Sequence, residues 1–179
     1  MVYLHLTDGF EEVEALTVLD LLRRAGISIQ STSMIKDLTV TGSHGIPVVA
    51  DTLFEDVSYE HCEMMVLPGG PGVEKLGAHE AFNEALRKFA DTGKWIAAIC
   101  AAPKILAQNG LLSGKKATIY RGMEKELGNA SHRDEKVVQD GNIITSMGPG
   151  TSIQFALKLI EVLSGEAEAT KVREAILFD

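Results

Sequence analysis

The 179-residue sequence is poor in cysteine, in aromatic residues and in positive charge. It has 2 cysteines and 6% aromatic residues, and 17 Lys and Arg stand against 25 Asp and Glu, which gives a net charge of −8. Two cysteines are too few for a disulfide framework, and they do not form a C-x-x-C motif. A protein that binds nucleic acid mainly through phosphates carries the opposite charge, so nucleic acid is an improbable partner.

Long hydrophobic runs and targeting signals are also missing. The longest apolar runs have the length of a strand, far short of the ~20 residues of a membrane span. The first residues, MVYLHLTDGFEE, lack the charged region and the apolar core of a signal peptide. We therefore expect a cytoplasmic protein that does not associate with membranes. With 45% hydrophobic residues, the composition favours one globular domain over residues 1–179.

Short apolar, β-branched segments alternate with helical segments along nearly the whole chain. The alternation predicts a doubly wound α/β fold, with a mainly parallel sheet and helices on both faces. Continuous apolar strands such as MMVL and WIAAI fit a sheet that is covered on both sides. The turn Asp140-Gly141 predicts one antiparallel hairpin. The predicted strands are residues 2–7, 27–34, 46–51, 63–70, 95–100, 116–120 and 137–146, and the predicted helices begin near Glu11 and Ala102 or lie within 79–91 and 151–177.

Three predicted strand ends carry unusual residues: Asp8-Gly9, the segment PGGPG at 68–72, and Cys100. The active crevice of such a sheet forms at the carboxyl ends of its strands. Cys100 directly precedes a helix with Pro103 in its first turn, and the helix dipole and unpaired N–H groups there favour a thiolate. We expect Cys100 to have a lowered pKa. The alternative is a small buried residue at a strand end.

Two further features lie near these strand ends. Glu14 shares one helical stripe with Val18 and Leu21, so we expect burial to raise its pKa and favour the protonated form. The alternative is that Glu14 only ends the stripe at a partly hydrated helix start. Gly69 and Gly70 follow an apolar strand and offer backbone amides to an oxyanion or thiolate, although ordinary tight turns use the same residues.

The other cysteine and the histidines give weaker signals. Cys62 precedes a strand, and we expect it to be structural. The histidines at 5, 44, 61, 79 and 132 show no H-x-x-x-H or H-E-x-x-H spacing, so we expect no metal site.

Taken together, the motifs resemble the DJ-1/ThiJ/PfpI superfamily, most closely the branch that contains the Parkinson-disease-associated protein and its bacterial relatives. The matching text covers essentially the whole chain: DGFEEVEALTVLDLLRRAGI at 8–27, VLPGGPG at 66–72, AAICAAPKILA at 97–107, TSMGPGTSIQFALKLIEVLSG at 145–165 and REAILFD at 173–179. The resemblance implies a flavodoxin-like fold, similar to class I glutamine amidotransferases, and a homodimer built partly on the first helix.

The resemblance also implies roles for individual residues. Cys100 is expected to be the reactive nucleophile and Glu14 its buried, protonated partner. The amides of Gly69, Gly70 and Ala101 are expected to stabilise the thiolate or an oxyanion. No cofactor is expected. The implied activity is the conversion of reactive carbonyls, as a glyoxalase or a protein deglycase acting on glycated protein, through a Cys100 hemithioacetal; the alternative is an oxidation sensor or redox-regulated chaperone.

Two departures from the family pattern bear on the mechanism. Ala101 follows Cys100 where protease-like members have a histidine, so we do not expect a peptidase. Tyr120 aligns with a histidine that is frequent in the closest branch, and a phenol with a pKa near 10 is a poor general base at neutral pH. His44 aligns with a region that approaches the neighbouring subunit's active site in relatives, so it is the candidate substitute for the missing base.

Overall fold

A seven-stranded sheet forms the centre of the computed structural model, which describes residues 1–179. Its strands are β1 (Val2–Leu6), β2 (Ile29–Ser33), β5 (Thr52–Leu53), β6 (Met64–Leu67), β7 (Trp95–Ile99), β10 (Val137–Asp140) and β11 (Ile143–Ser146). Their order across the sheet is β10-β11-β7-β6-β1-β2-β5. All neighbours are parallel except the β10–β11 hairpin, which turns at Asp140-Gly141 as predicted.

Six helices cover the two faces of this sheet. They are α1 (Glu12–Arg24), α2 (Val73–Gly77), α3 (Glu80–Ala90), α4 (Pro103–Gln108), α5 (Ser152–Ser164) and α6 (Glu166–Ala175). The core on one face is formed with α1, α5 and α6, and the core on the other face with α2, α3 and α4. None of the six helices combines the length and hydrophobicity that a membrane crossing requires.

Side chains of successive strand residues enter opposite cores. In β6, Met64 and Val66 belong to the core of α1 and α5, whereas Met65 and Leu67 belong to the core of α3 and α4. This two-residue period explains why the central strands are apolar throughout, since both faces of each strand are buried. The predicted α/β fold with a mainly parallel sheet is therefore confirmed.

Two predicted strands lie outside the central sheet. Residues 46–51 contribute β4 (Pro47–Val49), which pairs with β3 (Thr39–Thr41) in a separate antiparallel hairpin. Residues 116–120 contribute only β8 (Lys116–Ala117), which pairs with β9 (Ser131–His132). In the β3–β4 hairpin, exposed residues alternate with buried or half-buried ones. This alternation gives its sequence the same pattern as a strand of the central sheet.

The buried side chain of His5, on β1, contacts β6 and the core beneath α3. His5 is 1% exposed, its Nδ1 lies 3.2 Å from the carbonyl oxygen of Val66, and its Nε2 lies 2.8 Å from the hydroxyl of Tyr59. The Phe82 ring packs against it, with ring centroids 5.0 Å apart. Burial lowers the pKa of His5 from 6.5 to about 4, because the charged ring loses its hydration. The folded protein therefore holds His5 neutral.

This burial predicts a specific loss of stability in acid. Between pH 6.5 and 4 the unfolded chain binds a proton at His5 that the folded protein does not, so the contribution of His5 is complete above pH 6.5 and is lost as pH falls. The total is about 3 kcal/mol. In urea unfolding at several pH values, the wild type should lose its advantage over His5→Phe progressively below pH 6.5. A Phe155→Leu control, in the core on the other face of the sheet, should differ from the wild type by a constant amount; a constant difference for His5→Phe as well would contradict the assignment.

Candidate active site

Three of the central strands end at the same edge of the sheet and bring the candidate residues together. β1, β6 and β7 are neighbours, in the order β1-β6-β7, and all three run parallel. The segment after β1 leads to α1 with Glu14, the segment after β6 contains Gly69 and Gly70, and Cys100 follows β7 directly. The backbone N–H of Glu11 donates to the carbonyl of Gly69 at 3.0 Å, which joins the first two segments.

Cys100 sits on a strained turn between β7 and α4. Its φ is 63°, in the left-handed region that residues with a side chain rarely adopt. Both of its peptide groups are held, since its N–H donates to Ser146 O at 2.9 Å and its carbonyl accepts from the Tyr120 N–H at 2.8 Å. Strain of this kind persists only where the surroundings fix it, and it frequently marks functional sites. The side chain is 8% exposed.

The carboxyl group of Glu14 lies beside the sulfur. Glu14 is fully buried, and its Oε2 accepts a hydrogen bond from the Gly69 N–H at 2.7 Å. Its Oε1 is buried without a protein partner. Burial raises the pKa of Glu14 from 4.5 to about 7, while the Gly69 N–H and the hydrogen bond with Cys100 act in the opposite direction. The carboxyl group therefore gains and loses its proton near neutral pH.

The three amides named from the sequence divide between the two acidic groups. The N–H groups of Gly70 and Ala101 act on the Cys100 sulfur and lower the pKa of the thiol, whereas the Gly69 N–H donates to Oε2 of Glu14. Gly69 still lies against the sulfur: a Cβ at this position would be 2.6 Å from Cβ of Cys100 and 2.7 Å from Oε2 of Glu14. Only glycine fits there, because any side chain would displace the reactive pair.

The expected direction of the Cys100 pKa is wrong for the resting protein. Burial, followed by the charge of Glu14 and its hydrogen bond, raises the pKa of the Cys100 thiol to about 12, although the N–H groups of Gly70 and Ala101 lower it. The sequence argument counted the helix end and its amides but not the loss of hydration or a carboxylate at hydrogen-bond distance. The Cys100 thiol and the Glu14 carboxyl group titrate as a coupled pair, in which ionised Glu14 raises the pKa of the thiol.

An open cleft adjoins the Cys100 turn. It has a volume of about 410 Å³ and is lined by Tyr120, Arg121, Met147, Gly148, Pro149, Gly150 and Thr151. One wall begins at Tyr120, whose N–H donates to the Cys100 carbonyl. The other wall begins directly after Ser146, whose carbonyl accepts the Cys100 N–H. The Tyr120 side chain is 49% exposed and packs against Gly148. The largest groove of the structure, about 600 Å³ between α5 and α6, contains none of the candidate residues.

His44 does not contact Cys100 or Glu14 of its own chain. It lies in the turn of the β3–β4 hairpin, and its Nδ1 is 2.8 Å from Oε2 of Glu12. Glu12 also accepts from the His44 backbone N–H at 2.7 Å and from the Ser43 hydroxyl at 3.1 Å. Burial raises the pKa of Glu12, but these hydrogen bonds, the His44 side chain first, lower it to about 2. The hydrogen bond with Glu12 raises the pKa of His44.

Glu12 is a residue of interest that the sequence did not single out. Acids in the first turn of a helix are common because they complement its dipole, so Glu12 looked ordinary beside Glu11. Glu11, Glu12 and His44 have ligand atoms within 4.8 Å of one another. The oxygens of Glu12 already accept hydrogen bonds from His44 and Ser43, so this cluster fits the anchoring of a hairpin.

Cys62 is buried, and burial raises its pKa to about 11.

The candidate nucleophile lies on a strained strand-to-helix turn, next to a buried glutamic acid and glycine amides. The match to a known protein family agrees with this arrangement. The profile of the DJ-1/PfpI family matches residues 1–162. The chain belongs to the DJ-1/PfpI family. The family assignment made from the motifs is therefore confirmed, and the match includes every candidate residue named above.

Several members of the DJ-1/PfpI family are similar to the chain over nearly its whole length. Protein dj-1beta of Drosophila melanogaster is 40% identical over 96% of this chain and 94% of its own length. Glutathione-independent glyoxalase DJR-1.2 of Caenorhabditis elegans is 33% identical over 87% of this chain and 83% of its own. Protein DJ-1 homolog B of Arabidopsis thaliana is 37% identical, and the chain spans only 40% of its length.

Solved structures of the family have the same fold. Drosophila melanogaster DJ-1beta superposes with a TM-score of 0.96 at 38% identity, covering 99% of this chain and 97% of that one. Oxidized Toxoplasma gondii DJ-1 superposes with a TM-score of 0.95 at 35% identity, with the same coverage of both chains. The DJ-1 fold of the chain is thus shown independently of its motifs.

The burial of Glu14 predicts that the site destabilises the protein as pH rises. Between pH 4.5 and 7 the folded protein retains a proton on Glu14 that the unfolded chain has lost, so the folded state becomes less stable as pH increases. The loss amounts to about 3 kcal/mol. The variant Glu14→Gln has no such proton, and its free energy of unfolding should rise relative to the wild type from pH 5 to pH 8.

The matched control is Glu80→Gln, which makes the same change on the first turn of α3. The free energy of unfolding of Glu80→Gln should differ from that of the wild type by the same amount at pH 5 and pH 8. If Glu14→Gln differs from the wild type by the same amount at pH 5 and pH 8 in urea unfolding, Glu14 is not held protonated by burial.

Proposed function

We propose that this protein converts 2-oxoaldehydes such as methylglyoxal to 2-hydroxy acids, with Cys100 as the nucleophile and without a bound cofactor. The observation that carries the proposal is the buried Cys100–Glu14 pair, in which Glu14 has a pKa of about 7. A general base works best when its pKa lies near the working pH. The glyoxalase name of the nematode relative supports the same reaction class.

The first step forms a hemithioacetal. Ionised Glu14 takes the proton of the Cys100 thiol while the sulfur attacks the aldehyde carbon, so the C–S bond forms and the carbonyl π electrons move to oxygen. The N–H groups of Gly70 and Ala101, which lower the pKa of the Cys100 thiol, would stabilise the new oxyanion. Glu14 then returns the proton to that oxygen and is again a carboxylate.

The second step is an isomerisation within the bound adduct. Glu14 removes the hydrogen of the former aldehyde carbon as a proton, which leaves an enediolate, and returns that proton to the neighbouring ketone carbon. The hydroxyl proton of the former aldehyde carbon moves to the neighbouring oxygen, so that a thioester carbonyl and a new hydroxyl group form. The aldehyde carbon is oxidised and the ketone carbon is reduced, so no external oxidant or reductant is required. The resulting thioester is hydrolysed by one water, which releases the 2-hydroxy acid and restores the Cys100 thiol.

The same attack suits glycated proteins. A hemithioacetal or hemiaminal formed by methylglyoxal on a protein side chain releases the same aldehyde, which Cys100 then captures; this is the deglycase form of the proposal. Tyr120, at the mouth of the site, offers a hydroxyl to the substrate. His44, held by Glu12, is proposed to serve the site of a neighbouring subunit.

Oxidation sensing is the second candidate function. Buried Oε1 of Glu14 has no protein partner, and a protonated carboxyl group at that position would donate a hydrogen bond to a sulfinate on Cys100. The N–H groups of Gly70 and Ala101 would hold its remaining charge. The two candidate functions use the same residues but differ in turnover.

Lactate formation from methylglyoxal tests the enzyme proposal. The wild type should form lactate, and Cys100→Ser should form none above the uncatalysed background because an alcohol is a far weaker nucleophile here. Glu14→Gln should be at least a hundredfold slower, the loss typical of a missing general base. In the wild type, kcat/KM should rise about tenfold per pH unit below pH 7 and level off above it, as Glu14 ionises.

The control is Cys62→Ser, which alters the other buried thiol and should keep wild-type turnover. Equal lactate formation by the wild type and Cys100→Ser would refute the catalytic assignment. Absence of lactate from the wild type, together with a gain of about 32 Da on the Cys100 peptide after mild peroxide, would favour the oxidation sensor.

We also propose that the protein is a homodimer through the outer face of α1. Val13 and Leu16 are one helical turn apart and are 51% and 38% exposed, although both are apolar. The turn of the β3–β4 hairpin adds Ile46, which is 50% exposed, near the same end of α1 through the Glu12–His44 contact. A second copy of the chain would cover this apolar surface.

The dimer is tested by sedimentation. The wild type should sediment at twice the mass of the chain, and Val13→Glu combined with Leu16→Glu should sediment as a monomer, because two charges in an apolar interface are not compensated. Ala81→Glu, on the exposed side of α3 in the other helix layer, should remain dimeric. A wild type that is monomeric at micromolar concentration would exclude this interface.

A further inference from the structure

Arg121 is an arginine without an acidic partner in the cleft beside Cys100. It is exposed, it forms no hydrogen bond or ion pair through its guanidinium group, and it is the only charged residue that lines the cleft. The pKa of Glu124 is lowered, first by the hydrogen bond from the Gly122 N–H and to a smaller extent by the charge of Arg121, but the two side chains do not pair. All five N–H donors of Arg121 therefore remain available to a ligand.

The position of Arg121 is fixed by the reactive turn itself. The residue before it, Tyr120, donates its backbone N–H to the carbonyl of Cys100 at 2.8 Å. The opposite wall of the cleft, residues 147–151, begins directly after Ser146, which accepts the Cys100 N–H at 2.9 Å. Arg121 therefore lines a cleft whose two walls both begin at residues that hold the backbone of Cys100.

The opposite wall is electrostatically favourable to an anion as well. Residues Pro149–Thr151 form a short 3-10 turn that leads into α5, so the amino end of this 13-residue helix, with its positive dipole, lies at the cleft. The chain as a whole carries a net charge of −8 and repels anions. Arg121 thus gives this cleft a positive charge that is opposite in sign to the net charge of the molecule.

We propose that Arg121 binds a carboxylate at the far end of the substrate, so that the site prefers 2-oxoaldehydes that carry a negative charge. The guanidinium fork matches a carboxylate in a bidentate arrangement. A suitable substrate is 4,5-dioxopentanoate, in which two methylene groups separate the carboxylate from the dicarbonyl unit; the proposed reaction would convert it to 2-hydroxyglutarate. This assignment rests on the proposed function and specifies its substrate class.

The turnover experiment compares 4,5-dioxopentanoate with its uncharged methyl ester. The wild type should prefer the acid, and Arg121→Gln should lower the acid-to-ester ratio of kcat/KM about tenfold, the effect of one charge-assisted hydrogen-bond pair at a partly hydrated site. Arg121→Lys should retain part of the preference. Arg173→Gln, the same change in α6 away from the cleft, should keep the wild-type ratio. An unchanged ratio in Arg121→Gln would overturn the role of Arg121 while leaving turnover by Cys100 intact.

A binding experiment separates this inference from the proposed function. Succinate semialdehyde and butanal both form a hemithioacetal with a thiol, but neither has the adjacent ketone that isomerisation requires. Protection of Cys100 from iodoacetamide should need about tenfold less succinate semialdehyde than butanal in the wild type, and Arg121→Gln should abolish this difference. If no dicarbonyl is turned over, the proposed function fails, but this difference still establishes the anion site; equal protection by both aldehydes in the wild type refutes it.

Discussion

The hydrogen bond from the Gly69 N–H to the buried carboxyl group of Glu14 is the contact on which the site depends. It joins the segment after β6 to α1 and holds one oxygen of Glu14 at 2.7 Å, beside the sulfur of Cys100. Without it, a fully buried carboxylate would have no backbone donor and would be very costly to ionise. With it, the pKa of Glu14 falls near 7, so the pair exchanges a proton at neutral pH.

Much of the fold follows from the sequence because its signals are local. The two-sided burial of β6 and β7 shows in their unbroken apolar runs, and the Asp140-Gly141 turn sets the β10–β11 hairpin without help from the rest of the chain. The short β4 and β8 strands were misplaced for a different reason. Their pairing depends on partners 6 to 15 residues away in segments of only two or three residues, and so few residues carry no periodicity of their own.

The residues of the candidate site could be predicted from the sequence, but the direction of their pKa shifts could not all be. Cys100, Glu14 and the glycines after β6 were identifiable because a parallel sheet brings the ends of β1, β6 and β7 together. The direction of the Cys100 pKa was not, since it depends on how much water reaches the sulfur and on the distance to Glu14. The Glu12–His44 contact was equally hidden, because it joins residues 32 positions apart through a hairpin whose place the sequence does not specify.

The arrangement explains how a reactive thiol is kept from indiscriminate chemistry. Burial and the neighbouring carboxylate raise the pKa of the Cys100 thiol to about 12, which favours the protonated form in the absence of a ligand. In the proposed mechanism the same carboxylate removes the thiol proton as the aldehyde binds, so the nucleophile is generated only when a ligand is present. The strained backbone of Cys100 and the buried Glu14 both lower stability, and the extensive two-sided core around the sheet is what offsets that loss. Under the proposed mechanism, a nucleophile activated in this way needs a ligand that is held in the adjacent cleft. The residues that line the cleft, rather than the sulfur itself, would then determine which carbonyl compound reacts.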